Sequence, residues 1–144
     1  MRSKFFLMTA TILFTLSCCV MCYQKPDIKN TRWTCVVEEF VADAGTETTT
    51  FTLSFVSNKD FVMEYRSVLP AHPAMYMNPD GTVDRIPESS REFSYKGTYS
   101  LRQGVITLTS EDGDVYTLDY KPEKLETDNL YFRPVVFIRE PEKP

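Results

Sequence analysis

The chain has 144 residues, with 16 Lys and Arg against 20 Asp and Glu, a formal net charge of −4, one histidine and four cysteines. That length suits one domain around one core. The acidic balance argues against nucleic acid, whose phosphates call for a positive surface, and a lone imidazole excludes any site that needs two.

Arg2 and Lys4 precede a charge-free apolar run at residues 5–16 (FFLMTATILFTL), which has the length of a secretory h-region. The following Leu16-Ser17-Cys18 resembles a bacterial lipobox, in which cleavage before the cysteine follows its modification with diacylglycerol. The resemblance implies residues 1–17 as a lipoprotein signal peptide and Cys18 as the lipid attachment site. The membrane is then a partner through the acyl chains, each buried methylene contributing about 0.8 kcal/mol. Thr15 departs from the usual Leu of that box, and Cys19, with Leu16 three residues before it, is the alternative site. An uncleaved anchor over residues 5–23 and an ordinary cleaved signal remain open. A metal or redox role for Cys19-Val20-Met21-Cys22 has the spacing but no second ligand pair. Removal of residues 1–17 takes away Arg2 and Lys4 and leaves 14 basic against 20 acidic residues, or −6. Cys19, Cys22 and Cys35 remain, and a Cys22–Cys35 pair is one of several possibilities in an oxidising compartment.

Residues 18–31 form a polar tether containing Pro26, and residues 32–140 form the domain. Residues 32–41 (RWTCVVEEFV) are rich in β-formers, and ADAGTET after them is turn chemistry. Residues 48–56 alternate, with Phe51, Leu53 and Phe55 on one face and Thr50, Thr52 and Ser54 on the other, the period of a half-buried strand. Phe61, Met63 and Tyr65 continue the apolar face. Residues 68–91 contain four prolines and no sustained alternation, and they suggest a long loop across the mouth of the domain, with Met75, Tyr76 and Met77 packed inward. Phe93, Tyr95, Gly97, Tyr99 and Leu101 then alternate with polar residues. Gln103-Gly104 turns the chain into VITLT, and Asp112-Gly113 is the pair preferred in tight hairpins with two positive φ values. VYTLDY, LYF and PVVFIRE supply the remaining strands. The expectation is an all-β fold, a single antiparallel meander of seven or eight strands closing into a barrel, with a β-sandwich as the alternative.

Asn30-Thr31-Arg32-Trp33 stands where lipocalin-type barrels carry Gly-x-Trp, and Leu118-Asp119-Tyr120 is similar to their Thr-Asp-Tyr. Each motif departs at one position, Thr31 for Gly and Leu118 for Thr. With the signal, tether and meander, the chain resembles the small lipocalin-like lipoproteins of Bacteroidetes. The resemblance implies a calycin-type barrel with an apolar cavity, Trp33 at its floor, and a place in the outer membrane of a Gram-negative cell envelope.

Chemistry is sparse. His72 lies between prolines, NPDGTVD lacks the Gly offset and closing Glu of a calcium loop, and no carboxylate pair is marked by spacing. No metal, cofactor or catalytic residue is expected. The inward aromatic set of Trp33, Phe51, Phe55, Phe61, Tyr65, Phe93, Tyr95 and Tyr99, with Tyr76 from the loop, either fills the core or lines a cavity for a small hydrophobic or amphipathic ligand. The leading expectation is a non-enzymatic, membrane-anchored, ligand-binding lipoprotein. The alternative is an interaction module that binds a protein or glycan through residues 68–91.

Overall fold

The computed structural model describes residues 26–130 and 134–141. Among them the fold is all β, with no helix. The strands are β1 (Thr31–Val41), β2 (Gly45–Phe55), β3 (Asp60–Leu69), β4 (His72–Met77), β5 (Val83–Ile86), β6 (Ser89–Arg102), β7 (Val105–Ser110), β8 (Val115–Lys121), β9 (Lys124–Thr127) and β10 (Val135–Arg139). Eight of them close an antiparallel barrel in the order β1-β10-β9-β8-β7-β6-β3-β2, while β4 and β5 pair only with each other. The expected meander barrel is therefore the fold. The signal segment and Cys18, Cys19 and Cys22 lie outside the described residues.

Period-two patterning decides which side chains enter the barrel. Trp33 on β1 opposes Leu53 on β2, which opposes Met63 on β3, and Phe55, Phe61 and Gly97 align in the same way. These rungs point inward, where Trp33, Leu53, Phe55, Phe61, Ile106, Leu108, Leu118, Leu125 and Phe137 are essentially buried. A one-residue slip of any strand would turn its whole apolar set to water, so each strand has one workable register.

The floor is the end where β1 begins. Asn30 N–H donates to the Phe55 carbonyl at 2.7 Å, and the Thr31 hydroxyl donates to the Ile28 carbonyl at 2.5 Å. Trp33 Nε1 donates to Thr31 Oγ1 at 2.8 Å, which satisfies the indole in a dry site, and Tyr120 meets its ring edge-on at 6.3 Å.

Residues 68–91 depart from the expected lid. They end β3, form β4 and β5, and begin β6. Leu69 opposes Ser89 in β3–β6 and His72 opposes Ile86 in β4–β5, so three steps along each strand join the two pairs in one unbroken register. The segment is thus the far end of one long hairpin. Pro70 and Pro87 interrupt its hydrogen bonding near the barrel wall, which is why alternation failed to reveal it. A shift in register between Pro73 and Met77 further blurs the period.

Two turns also differ from expectation. Positive φ at both Gln103 (50°) and Gly104 (80°) gives the β6–β7 hairpin the tight geometry anticipated at Asp112-Gly113, where Gly113 alone is left-handed (92°). The β9 strand lies inside KPEKLETDN, a stretch with one large apolar residue, Leu125.

At Gly97, β6 leaves no room for a side chain beside β7. A Cβ there would lie 2.0 Å from the Thr109 carbonyl oxygen and 2.9 Å from Phe61 Cε1. Gly97→Val is expected to lower unfolding free energy by about 3 kcal/mol, the upper end for overpacking, because the obstruction is backbone. Urea denaturation that leaves the variant as stable as the parent would refute this.

Candidate functional site

The barrel interior has two levels. At the floor, Trp33, Phe55 and Phe61 are buried among leucines and act as core, and Phe51 joins them at 5 % exposure. Tyr99 is half-buried against Phe55, with ring centroids 4.6 Å apart, and its hydroxyl donates to the Ser57 carbonyl at 2.8 Å.

The upper level begins where β7 stops. Gly97 opposes Ser110, and Glu111 N–H donates to the Lys96 carbonyl at 2.9 Å. Beyond that point β6 continues to Ser89, paired with β3 alone. Tyr65, Phe93 and Tyr95 lie on the inward face of this raised wall, since Phe51, Tyr65 and Phe93 are opposed across β2, β3 and β6. Their neighbours on the short side of the barrel end lower, so Phe93 is 54 % exposed and Tyr95 44 %.

The aromatic rings form a ladder. Phe137 meets Phe51 at 6.5 Å, Phe51 meets Tyr65 at 5.4 Å, and Tyr65 meets Phe93 at 5.7 Å, running from the core to the rim. Tyr116 on β8 belongs to the rim as well. Burial, then Asp114 and Tyr95, push its phenol above the ordinary range. It was absent from the aromatic set expected of the sequence, although Tyr116, Leu118 and Tyr120 alternate in VYTLDY and mark the inward face.

Tyr76 stands apart from these residues. It is 82 % exposed on the β4–β5 arm, between Met75 and Met77, which are 74 % and 70 % exposed. The arm ends in a turn closed by its own polar groups: Asn78 N–H donates to the Thr82 carbonyl at 2.7 Å, and Asp80 accepts from Thr82 N–H at 2.9 Å and from the Thr82 hydroxyl at 2.7 Å. Those bonds hold the Asp80 carboxyl below its ordinary pKa. At the arm's base, His72 Nδ1 lies 3.0 Å from the Pro70 carbonyl. Among the described residues no group of three or more His, Cys, Asp or Glu side chains is placed to hold a metal ion.

A hollow of about 530 Å³ is lined by residues of β1, β2, β3 and β6: Arg32, Thr50, Thr52, Glu64, Tyr65, Arg66, Glu92, Phe93 and Ser94. Its cations face acids: Arg66–Glu92 at 3.3 Å and Arg32–Glu64 at 3.8 Å.

No model of a known protein family and no curated protein matches this chain. The eight-stranded antiparallel meander barrel is compatible with a calycin or lipocalin-like fold.

Burial, reinforced by Asp27 and Asp60, raises the Tyr99 pKa. The folded chain therefore holds that proton more tightly than the unfolded chain. The resulting stability is complete below the ordinary tyrosine pKa of about 10 and is lost as pH rises through the higher folded value. Tyr99→Phe is expected to cost about 1 kcal/mol at neutral pH, the worth of one hydrogen bond. The variant should also lose less stability than the parent between neutral and strongly alkaline pH, with Tyr116 supplying the remainder. Equal alkaline losses in urea titrations of parent and variant would refute the assignment.

Proposed function

We propose that this chain is a non-enzymatic lipoprotein of a Gram-negative cell envelope, tethered through lipidated Cys18, whose barrel is a scaffold for the β4–β5 arm, and that the arm contacts a protein partner. The observation that carries this reading is the consecutive exposure of Met75, Tyr76 and Met77 on a two-stranded ribbon. Large apolar side chains on a thin ribbon find no cover within their own domain. Methionine and tyrosine give such a surface adaptable packing and a polar tip, as binding surfaces use them. The membrane tether rests on the charge and apolar pattern of residues 1–18, with a cell-envelope address following from the likeness to Bacteroidetes lipoproteins.

A second reading has its own support. The half-exposed ring faces of Phe93 and Tyr95 turn inward at the rim beside Tyr65 and Tyr116, and they offer an open aromatic cup to a small apolar or amphipathic ligand. The ligand would sit on top of the packed floor.

Since Leu69 opposes Ser89, replacing residues 70–88 by Asn-Gly should close a two-residue hairpin and remove the arm alone. The melting temperature is expected to change little. A photo-crosslinking residue at position 76 of the full chain should join a discrete protein in the native membrane, and a preformed barrel without the arm should compete poorly for it. Absence of any crosslinked protein would overturn the arm reading, and unfolding of the shortened chain would make the arm structural. Intact mass of the protein extracted from its membrane tests the rest. A start at Cys18 with added acyl mass is expected, an unmodified chain refutes the anchor, and a further non-covalent adduct lost on Tyr95→Lys would favour the cup.

A further inference from the structure

The raised part of β6, residues 89–96, is exposed on both faces and has β3 along only one edge. Hydrogen bonds at its lower end fix which backbone groups face outward. Tyr99 N–H donates toward β3, to the Lys59 carbonyl, whereas the Lys96 carbonyl accepts from Glu111 on the β7 side. Backbone direction alternates along a strand, so Ser90, Glu92 and Ser94 turn both N–H and C=O away from β3, into the gap that β7 leaves. An open edge of this length is a template for another strand.

We infer that this edge pairs with the same edge of a second copy of the chain, antiparallel about a two-fold axis at Phe93. Self-complementarity selects this occupant and this register. With Phe93 opposite its own copy, Arg91 falls opposite the partner's Tyr95 and Tyr95 opposite the partner's Arg91. Cation and aromatic ring then meet twice on the inward face. Glu92 and Ser94 exchange backbone hydrogen bonds with their counterparts on the outward face, and Glu92 lies diagonally across from the partner's Lys96, a favourable charge pair. A two-fold axis at Glu92 instead would set two carboxylates face to face. With Phe93 on the axis, residues 91–95 of both copies can pair before the edge is closed by β7, which lies beside Gly97 and bonds the Lys96 carbonyl; an axis at Ser94 would leave only residues 93–95.

The aromatic ladder supports the same register. Phe137, Phe51, Tyr65 and Phe93 already run from core to edge, and Phe93 is the terminal ring with an open face. Phe93 pairs in a non-hydrogen-bonded position, where opposed Cα atoms lie about 4.5 Å apart and side chains come closest. The ladder would then continue through the axis into the second barrel. The isologous contact is closed, so it ends at two copies and does not propagate.

The test uses the full chain in mild detergent, followed by sedimentation equilibrium. A reversible dimer is expected at concentrations up to about 100 μM, where even modest affinities are populated. Ser94→Pro removes an N–H that faces the gap and leaves the β3 bonds intact, so it should weaken association by roughly tenfold or more with an unchanged circular dichroism spectrum. Phe93→Lys places two like charges on the axis and should do the same, and it carries the test if the proline variant fails to fold. Phe93→Cys should give a 93–93 disulfide under mild oxidation, because the expected Cα separation falls within the disulfide window of about 4.4–6.8 Å. A chain that stays monomeric, a dimer indifferent to both Ser94→Pro and Phe93→Lys, or oxidised dimers without the 93–93 bond would each overturn the inference.

Discussion

Closure of the barrel rests on a narrow seam. Between the first and last strands, Trp33 opposes Arg139 and Thr34 opposes Ile138, whereas β1 and β2 are paired along their full lengths. Side chains reinforce what the ladder leaves short. Glu140 N–H donates to the Arg32 carbonyl at 2.8 Å, the Thr34 hydroxyl bonds the Glu140 carboxylate, and Arg32 lies 3.4 Å from the same carboxylate. The Arg139 guanidinium sits 5.9 Å from the Trp33 ring. Trp33 is therefore both the largest floor side chain and a member of the seam. Without that seam β1 and β10 become open edges and the floor is wetted, so the indole's burial and the ring's closure are one event.

Asymmetry follows from the same construction. β1, β2, β3 and β6 are long, while β7 to β10 are short, so the interior is sealed at one end and open at a slant at the other. The inward parity that fills the floor with Phe55 and Phe61 brings Phe93 and Tyr95 to the rim without opposite neighbours. A single alternating pattern thus yields core at one height and exposed aromatic surface at another.

This explains what the sequence could and could not reveal. Phe51, Leu53 and Phe55 announced β2, and Phe93, Tyr95 and Tyr99 announced the inward face of β6, because period two depends only on neighbours within one strand. Their burial was not legible. It depends on how far β7 reaches, and the turn at residues 110–114 that ends it looks the same whether it lies at the rim or halfway down. The β9 strand was missed because KLET offers Leu125 as its sole large apolar residue. The arm was missed for the opposite reason: four prolines obscure a register that exists between strands and not along either one. The burial of Trp33 was legible from its place in a β-rich segment, and the alternation of Tyr116 with Leu118 and Tyr120 marks the inward face of VYTLDY.

The continuity between the arm and β3–β6 has a mechanical consequence. Both strands of the arm enter the barrel wall without a change of partner, flanked by β2 on one side and, lower down, by β7 on the other. A load applied at the tip along the ribbon acts parallel to the strands and is spread over the flanking ladders in shear. A load across the ribbon is concentrated at the proline-interrupted step between Leu69 and His72, where backbone pairing is weakest. The ribbon is thus expected to resist pulling along its strands and to yield to bending across them.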